Sequence, residues 1–90
     1  MIHQIRKIVA VHDLVLALEF DAGEVRQINF EPVLKEWGAS PDSIYRELLD
    51  VNNFRKVHVT PEWETIYWEN GIDLDPNVLY DMSIPVNQVN

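Results

Sequence analysis

Residues 14–30, LVLALEFDAGEVRQINF, carry the reading that decides the fold. Leu14, Leu16, Leu18 and Phe20 alternate with Val15, Ala17 and Glu19, the period-two signature of a strand with one buried face. Asp21-Ala22-Gly23 predicts a three-residue hairpin loop in which Gly23 takes a positive φ without a Cβ penalty. Phe20 then lies opposite Glu24, Leu18 opposite Arg26, Leu16 opposite Ile28 and Leu14 opposite Phe30. A two-residue loop would set Leu18 against Gln27 and Leu16 against Asn29, burying less apolar surface.

Upstream of this hairpin, residues 2–11 (IHQIRKIVAV) end in a β-branched apolar run and read as a first strand. Downstream, residues 32–36 predict a single helical turn closed near Gly38. Ser40-Pro41-Asp42 has the composition of a helix start, with a capping hydroxyl, a proline at the first position and a carboxylate facing the dipole. Ile44, Tyr45, Leu48 and Leu49 fall on one stripe, which predicts an amphipathic helix over 41–50. Residues 54–60 read as a fourth strand, with Val57 and Val59 facing one way and Lys56 and His58 the other. Residues 65–68 read as a fifth. Asn70-Gly71 turns the chain, and Asp75-Pro76 starts a last helix with Val78, Leu79 and Met82 as its apolar contacts. Residues 84–90 show no periodicity. The order β-β-β-α-β-β-α implies an α+β, two-layer sandwich: a mostly antiparallel sheet with helices on one face. It fills a single domain over 1–82, followed by a flexible tail at 83–90.

A chain of 90 residues has room for one hydrophobic core. With no cysteine it carries no disulfide, thiolate nucleophile or Cys-ligated metal. Met1 is followed by Ile-His-Gln-Ile-Arg-Lys without a long apolar segment, and no stretch approaches a membrane span, so a cytoplasmic protein is expected. The net charge is −8 and unevenly spread. Residues 1–40 hold four bases and six acids, residues 41–60 three of each, and residues 61–90 six acids and no base. Clustered carboxylates repel a phosphate backbone, so nucleic-acid binding by this chain alone is disfavoured.

No catalytic pattern is readable. His3, His12 and His58 lack metal-ligand spacing, and His3 and His58 are expected to face solvent. Ser40 and Ser43 sit in no nucleophile elbow. Gly23, Gly38 and Gly71 stand apart, so there is no phosphate loop. Asp73 and Asp75, with Glu69 and Asp81 near, could form a hard-cation site, but the spacing of a calcium loop is missing. The alternative is structural: Asp75 caps the last helix and Asp73 accepts from the Asn70-Gly71 turn. Trp63, between Glu62 and Glu64 in a loop, either packs on Pro61 and the sheet edge or anchors a partner. Trp68, Tyr67 and Tyr80 read as core and rim of the seam between sheet and helix.

Four stretches carry a family resemblance: Ile8-Val9-Ala10-Val11, Phe20 to Arg26, Phe54 to Val59, and Thr65 to Pro76 with Leu79-Tyr80. The last holds the motif W-x-N-G-x-D-L-x-P-x-x-L-Y, formed by Trp68, Asn70, Gly71, Asp73, Leu74, Pro76, Leu79 and Tyr80. Through these the sequence resembles the small bacterial domain family of unknown function DUF2442, as far as about Asp81. The resemblance implies a small α+β domain. It also implies members encoded beside another short protein, in pairs proposed to act as toxin and antitoxin. Some relatives add a C-terminal helix-turn-helix, for which the ten residues after Tyr80 are too few. The resemblance brings no catalytic residues and no cofactor.

The resulting expectation is a non-enzymatic protein-interaction domain, the antitoxin-like half of a two-protein module. It would meet a basic partner, encoded by an adjacent gene, through Glu62, Trp63, Glu64, Glu69 and Asp81. Two rivals are a metal-dependent binder or enzyme using Asp73 and Asp75, and a homodimer paired through the first strand as a sheet edge.

Overall fold

The hairpin forms in the expected register. Leu18 pairs with Arg26 and Leu16 with Ile28, while Phe20 donates to Glu24 O and Phe30 to Leu14 O at 2.8 Å each. Gly23 takes φ +85°. The computed structural model describes residues 3–60, 62 and 64–86. Strands β1 (Ile5–His12), β2 (Val15–Phe20) and β3 (Val25–Asn29) run antiparallel, and a two-residue β7 (Ile84–Pro85) joins the free side of β3. A second antiparallel sheet contains β4 (His58–Thr60), β5 (Thr65–Tyr67) and β6 (Asp73–Leu74). With the short helices between them, the two sheets make a small α+β sandwich.

β1 is an edge strand, as a homodimer through it would require, but it is irregular. Its register slips between Ile5 and Lys7 and again between Ile8 and Ala10. Two extra residues, Arg6 and Val9, therefore shift the inward period from two to three. Ile5, Ile8 and Val11 meet Phe20, Leu18 and Leu16. Bulges and cations on an edge both oppose further strand pairing.

The segment 41–50 departs from the expected amphipathic helix. Ser40 to Ser43 form a turn closed by the Ser43 N–H on Ser40 O at 3.0 Å. Ser43, not Ser40, then caps a 3₁₀ helix at Ile44–Leu49, accepting from the Tyr45 N–H at 3.2 Å and donating to Trp37 O at 2.8 Å. With three residues per turn, Tyr45 and Leu48 eclipse each other on the inner side and Ile44 is turned outward, 45% exposed. Gly38 shows why the segment is tight. A Cβ there would lie 3.0 Å from Arg46 N and 2.8 Å from Leu34 O. Asp50 then breaks the helix in extended backbone and caps α2 (Val51–Phe54) through Asn52 N–H. Phe54 consequently belongs to a helix, and the fourth strand is only its last three predicted residues.

α1 (Glu31–Trp37) is longer than the single turn expected, and α3 (Pro76–Met82) begins at Asp75 as read. Val78 is not an apolar contact of α3; it is 45% exposed, while Leu79 is fully buried. Residues 83–86 are not a loose tail. Ser83 is buried, Ile84 and Pro85 pair with Gln27 and Arg26, and Val86 N–H donates to Val25 O at 3.1 Å. Two-residue strands are too short to leave a period in the sequence, which is why β6 and β7 were not expected.

The inner face of the first hairpin (Leu16, Leu18, Phe20, Ile28, Phe30) packs with Leu34, Leu48, Phe54, Ile66, Trp68, Ile72 and Leu79. Phe30, Phe54 and Trp68 form an aromatic cluster with centroids 5.4–6.2 Å apart, joining the ends of β3, α2 and β5.

Candidate functional site

The closing motif, 68–80, is built almost wholly of structural parts. Trp68 is buried and its indole N–H donates to Phe54 O at 2.9 Å. Gly71, at φ +102°, lets the chain reverse while its N–H donates to Trp68 O at 3.1 Å and the Trp68 N–H to Ile72 O at 2.8 Å. Asn70 carries the polar work of the turn. Its Oδ1 accepts from Ile72 N–H at 3.2 Å and its Nδ2 donates to Glu47 Oε1 at 3.1 Å. The role expected of Asp73 therefore falls to Asn70, because the side-chain oxygen two residues before Ile72 completes an Asx turn. Asp75 accepts from Asn77 N–H at 2.7 Å and caps α3, with Pro76 at its start. Leu79 is core.

Tyr80 leads to a cluster that the sequence reading missed. Its hydroxyl donates to Glu24 Oε1 at 2.9 Å, and Arg26 Nη1 donates to Glu24 Oε2 at 2.7 Å. Arg26 also donates through Nε to Ser83 Oγ and through Nη2 to Ser83 O at 3.0 Å, while Ser83 Oγ donates to Tyr80 O. The Arg26 guanidinium stands 4.1 Å from the Tyr80 ring centre, and His3 stacks on that ring at 3.7 Å. His3 is thus half-buried, not solvent-facing as expected, because Tyr80 offers it a flat partner and Asn77 Oδ1 accepts from its backbone N–H. Hydrogen bonds from Arg26 and then Tyr80 hold the Glu24 carboxyl below the usual carboxylate range. The bond to Glu24, with desolvation, pushes the Tyr80 hydroxyl above the ordinary tyrosine value. A signal for this cluster was present: the hairpin register puts Arg26 opposite Leu18 on the apolar face, where a guanidinium requires partners. The cluster binds together the N-terminal segment, β3, α3 and β7, and its polar groups satisfy one another.

The acids of residues 61–90 are distributed along the second sheet and α3. Glu62 and Glu64 lie in the β4–β5 connection, Glu69 and Asp73 at the β5–β6 hairpin, and Asp75 and Asp81 on either end of α3. At strand rise the three-residue β5 separates these two groups of acids by only about 7 Å between its ends. Glu64, at φ 54°, is half-buried and its Oε1 accepts from Gln4 Nε2 at 2.8 Å. Glu62, Glu69, Asp73 and Asp81 are exposed. Among the described residues the Lys and Arg ion pairs are Lys7–Glu19, Arg26–Glu24 and Lys35–Glu31, all within the first 40 residues. Trp63 lies outside the described residues.

The second sheet presents a polar row on its outer face. His58 pairs with Tyr67 and Tyr67 with Asp73, so the three side chains line up across three strands. His58 faces solvent as expected, with its ring stacked on Tyr67 at 5.2 Å and its Nε2 4.0 Å from Glu69 Oε2. Val59, Ile66 and Leu74 occupy the opposite face and pack on the core.

The remaining sites show little chemistry. A cleft of about 290 Å³ is lined by Gln4, Ile5, Arg6, Asp21, Val59 and Glu64, but Gln4 already donates to both of its acids. Asp75 is engaged as a cap, and among the described residues no three His, Asp or Glu side chains gather as metal ligands. Nor is any helix among them long and apolar enough to cross a membrane.

No curated protein and no solved structure matches the chain. The model of one family, described as protein of unknown function (DUF2442), matches residues 5–85, and with nearly its whole length covered the chain belongs to that family.

Proposed function

We propose that this domain is a non-enzymatic interaction module that docks a basic protein through the acidic surface of its C-terminal third. The observation that carries the reading is that, among the described residues, no Lys or Arg forms an ion pair with the exposed acids of the last thirty residues. The Lys–Glu and Arg–Glu pairs among the described residues lie in residues 7–35, and the exposed carboxylates Glu62, Glu69, Asp73 and Asp81 keep their charge available. A surface of one sign speeds association with a partner of the opposite sign and disfavours the wrong ones. In a two-protein module of the kind the family resemblance implies, this chain would be the neutralising, antitoxin-like half.

The test is co-purification with the product of the adjacent gene. Capture should weaken as salt rises, and the combined variant Glu62→Gln, Glu69→Gln, Asp73→Asn, Asp81→Asn should lose most of it. Undiminished capture by that variant would sink the electrostatic account.

A further inference from the structure

We propose that the row His58–Tyr67–Asp73, with Glu69 beside it, is the part of this acidic surface that reads an arginine side chain of a basic protein partner. The inference rests on the docking reading above and adds the side chain recognised. Three strands bring the groups together: His58 and Asp73 flank Tyr67 from opposite sides in the register of the second sheet. The imidazole covers one face of the phenol, at 27° with centroids 5.2 Å apart, which leaves the other face of Tyr67 on the Asp73 side of the row. Glu69 overhangs it, 82% exposed, with its Oε2 4.0 Å from His58 Nε2. Among the described residues no Lys or Arg forms an ion pair with Glu69 or Asp73; Lys56 lines a cleft beside Glu69 without pairing with it, so both carboxylates remain open to an external cation.

That combination suits a guanidinium better than an ammonium. A planar guanidinium laid between Tyr67 and Asp73 meets the ring with its face and the carboxylate with its edge. An ammonium is a strongly hydrated point charge that gains only the Coulomb attraction. Charge complementarity thus selects a basic occupant, and the open face of Tyr67 selects arginine among basic side chains.

The experiment titrates two acetylated, amidated pentapeptides, Gly-Arg-Gly-Arg-Gly and Gly-Lys-Gly-Lys-Gly, into the isotope-labelled protein at low salt, followed by amide chemical shifts. The arginine peptide is expected to bind about threefold to tenfold tighter and to move His58, Tyr67 and Asp73 most. Asp73→Asn, at an exposed position, should weaken the arginine peptide about threefold. Tyr67→Leu should erase the preference for arginine, and Asp42→Asn, in the other half of the chain, should change nothing. Equal affinities, shifts centred elsewhere, or no binding of either peptide would each overturn the assignment. The broader docking reading would then stand or fall separately, on capture of the adjacent gene's product.

Discussion

The Arg26 guanidinium carbon lies 4.1 Å from the centre of the Tyr80 ring, on a residue 54 positions away in the chain. His3 stacks on the same ring at 3.7 Å, and two groups cannot share one face at such separations. The phenol is therefore held between a cation and an imidazole while its hydroxyl bonds Glu24. Arg26, with its side chain only 13% exposed, is the common member of contacts to β7, α3 and its own hairpin. One inward-facing charge thus fastens the last described strand to the first sheet.

Arg26→Ala removes these contacts, leaving Glu24 with the Tyr80 hydroxyl alone and Ser83 without the guanidinium's two bonds. A loss of about 2–3 kcal/mol in urea unfolding is expected. Arg26→Lys should recover less than half of it, since an ammonium cannot reproduce the fork. An alanine variant within about 0.5 kcal/mol of the parent would show that the cluster contributes little.

The same cluster sets two limbs of the pH–stability profile. The folded pKa of Glu24 is depressed, so its contribution is fully present above the unfolded value and is lost as pH falls through the folded one. The folded pKa of Tyr80 is raised, so its contribution is fully present below the unfolded tyrosine value and is lost as pH rises through the folded one. Urea midpoints measured across pH should show Glu24→Gln flattening the acid limb and Tyr80→Phe flattening the alkaline limb. Unchanged slopes in both variants would contradict this assignment.

Two glycines should respond to alanine for different reasons. At Gly71, φ +102°, a Cβ meets nothing within 4 Å, so the cost of about 1–2 kcal/mol is conformational. At Gly38 the backbone is unstrained but the Cβ would strike Leu34 O at 2.8 Å within α1 and crowd Arg46 N at 3.0 Å, pressing α1 away from the 3₁₀ helix. Thermal melting should report a loss in both. Gly71→Asn should recover part of the first, since asparagine tolerates a positive φ, whereas Gly38→Asn should recover nothing.

Trp68→Phe keeps an aromatic ring beside Phe30 and Phe54 but strands the buried Phe54 carbonyl. A cost of about 1–3 kcal/mol is expected in denaturant unfolding. A near-neutral result would mean that water or a shifted backbone replaces the indole N–H.

The first hairpin, the α3 start at Asp75-Pro76 and the reversal at Gly71 are legible residue by residue, because alternation, capping and positive φ act within a few positions of the chain. The segment 41–50 is a 3₁₀ helix from Ile44 to Leu49 and not the expected amphipathic α-helix, because its apolar stripe fits more than one helical pitch. Close approach of Gly38 to Arg46, together with the Ser43 bond to Trp37, selects the tighter one. β6 and β7 carry no pattern of their own and exist because partners at Ile66, Tyr67, Arg26 and Gln27 are presented to them.

Sequence by itself determined the α+β class, the register of the first hairpin and the concentration of acid in the last thirty residues, since these follow from local periodicity and composition. Tertiary structure alone decided that Arg26, Tyr80 and His3 meet, and that His58, Tyr67 and Asp73 share one exposed row. Those side chains come from segments far apart in the chain, and only the packing of the common core and the pairing of strands bring them within reach.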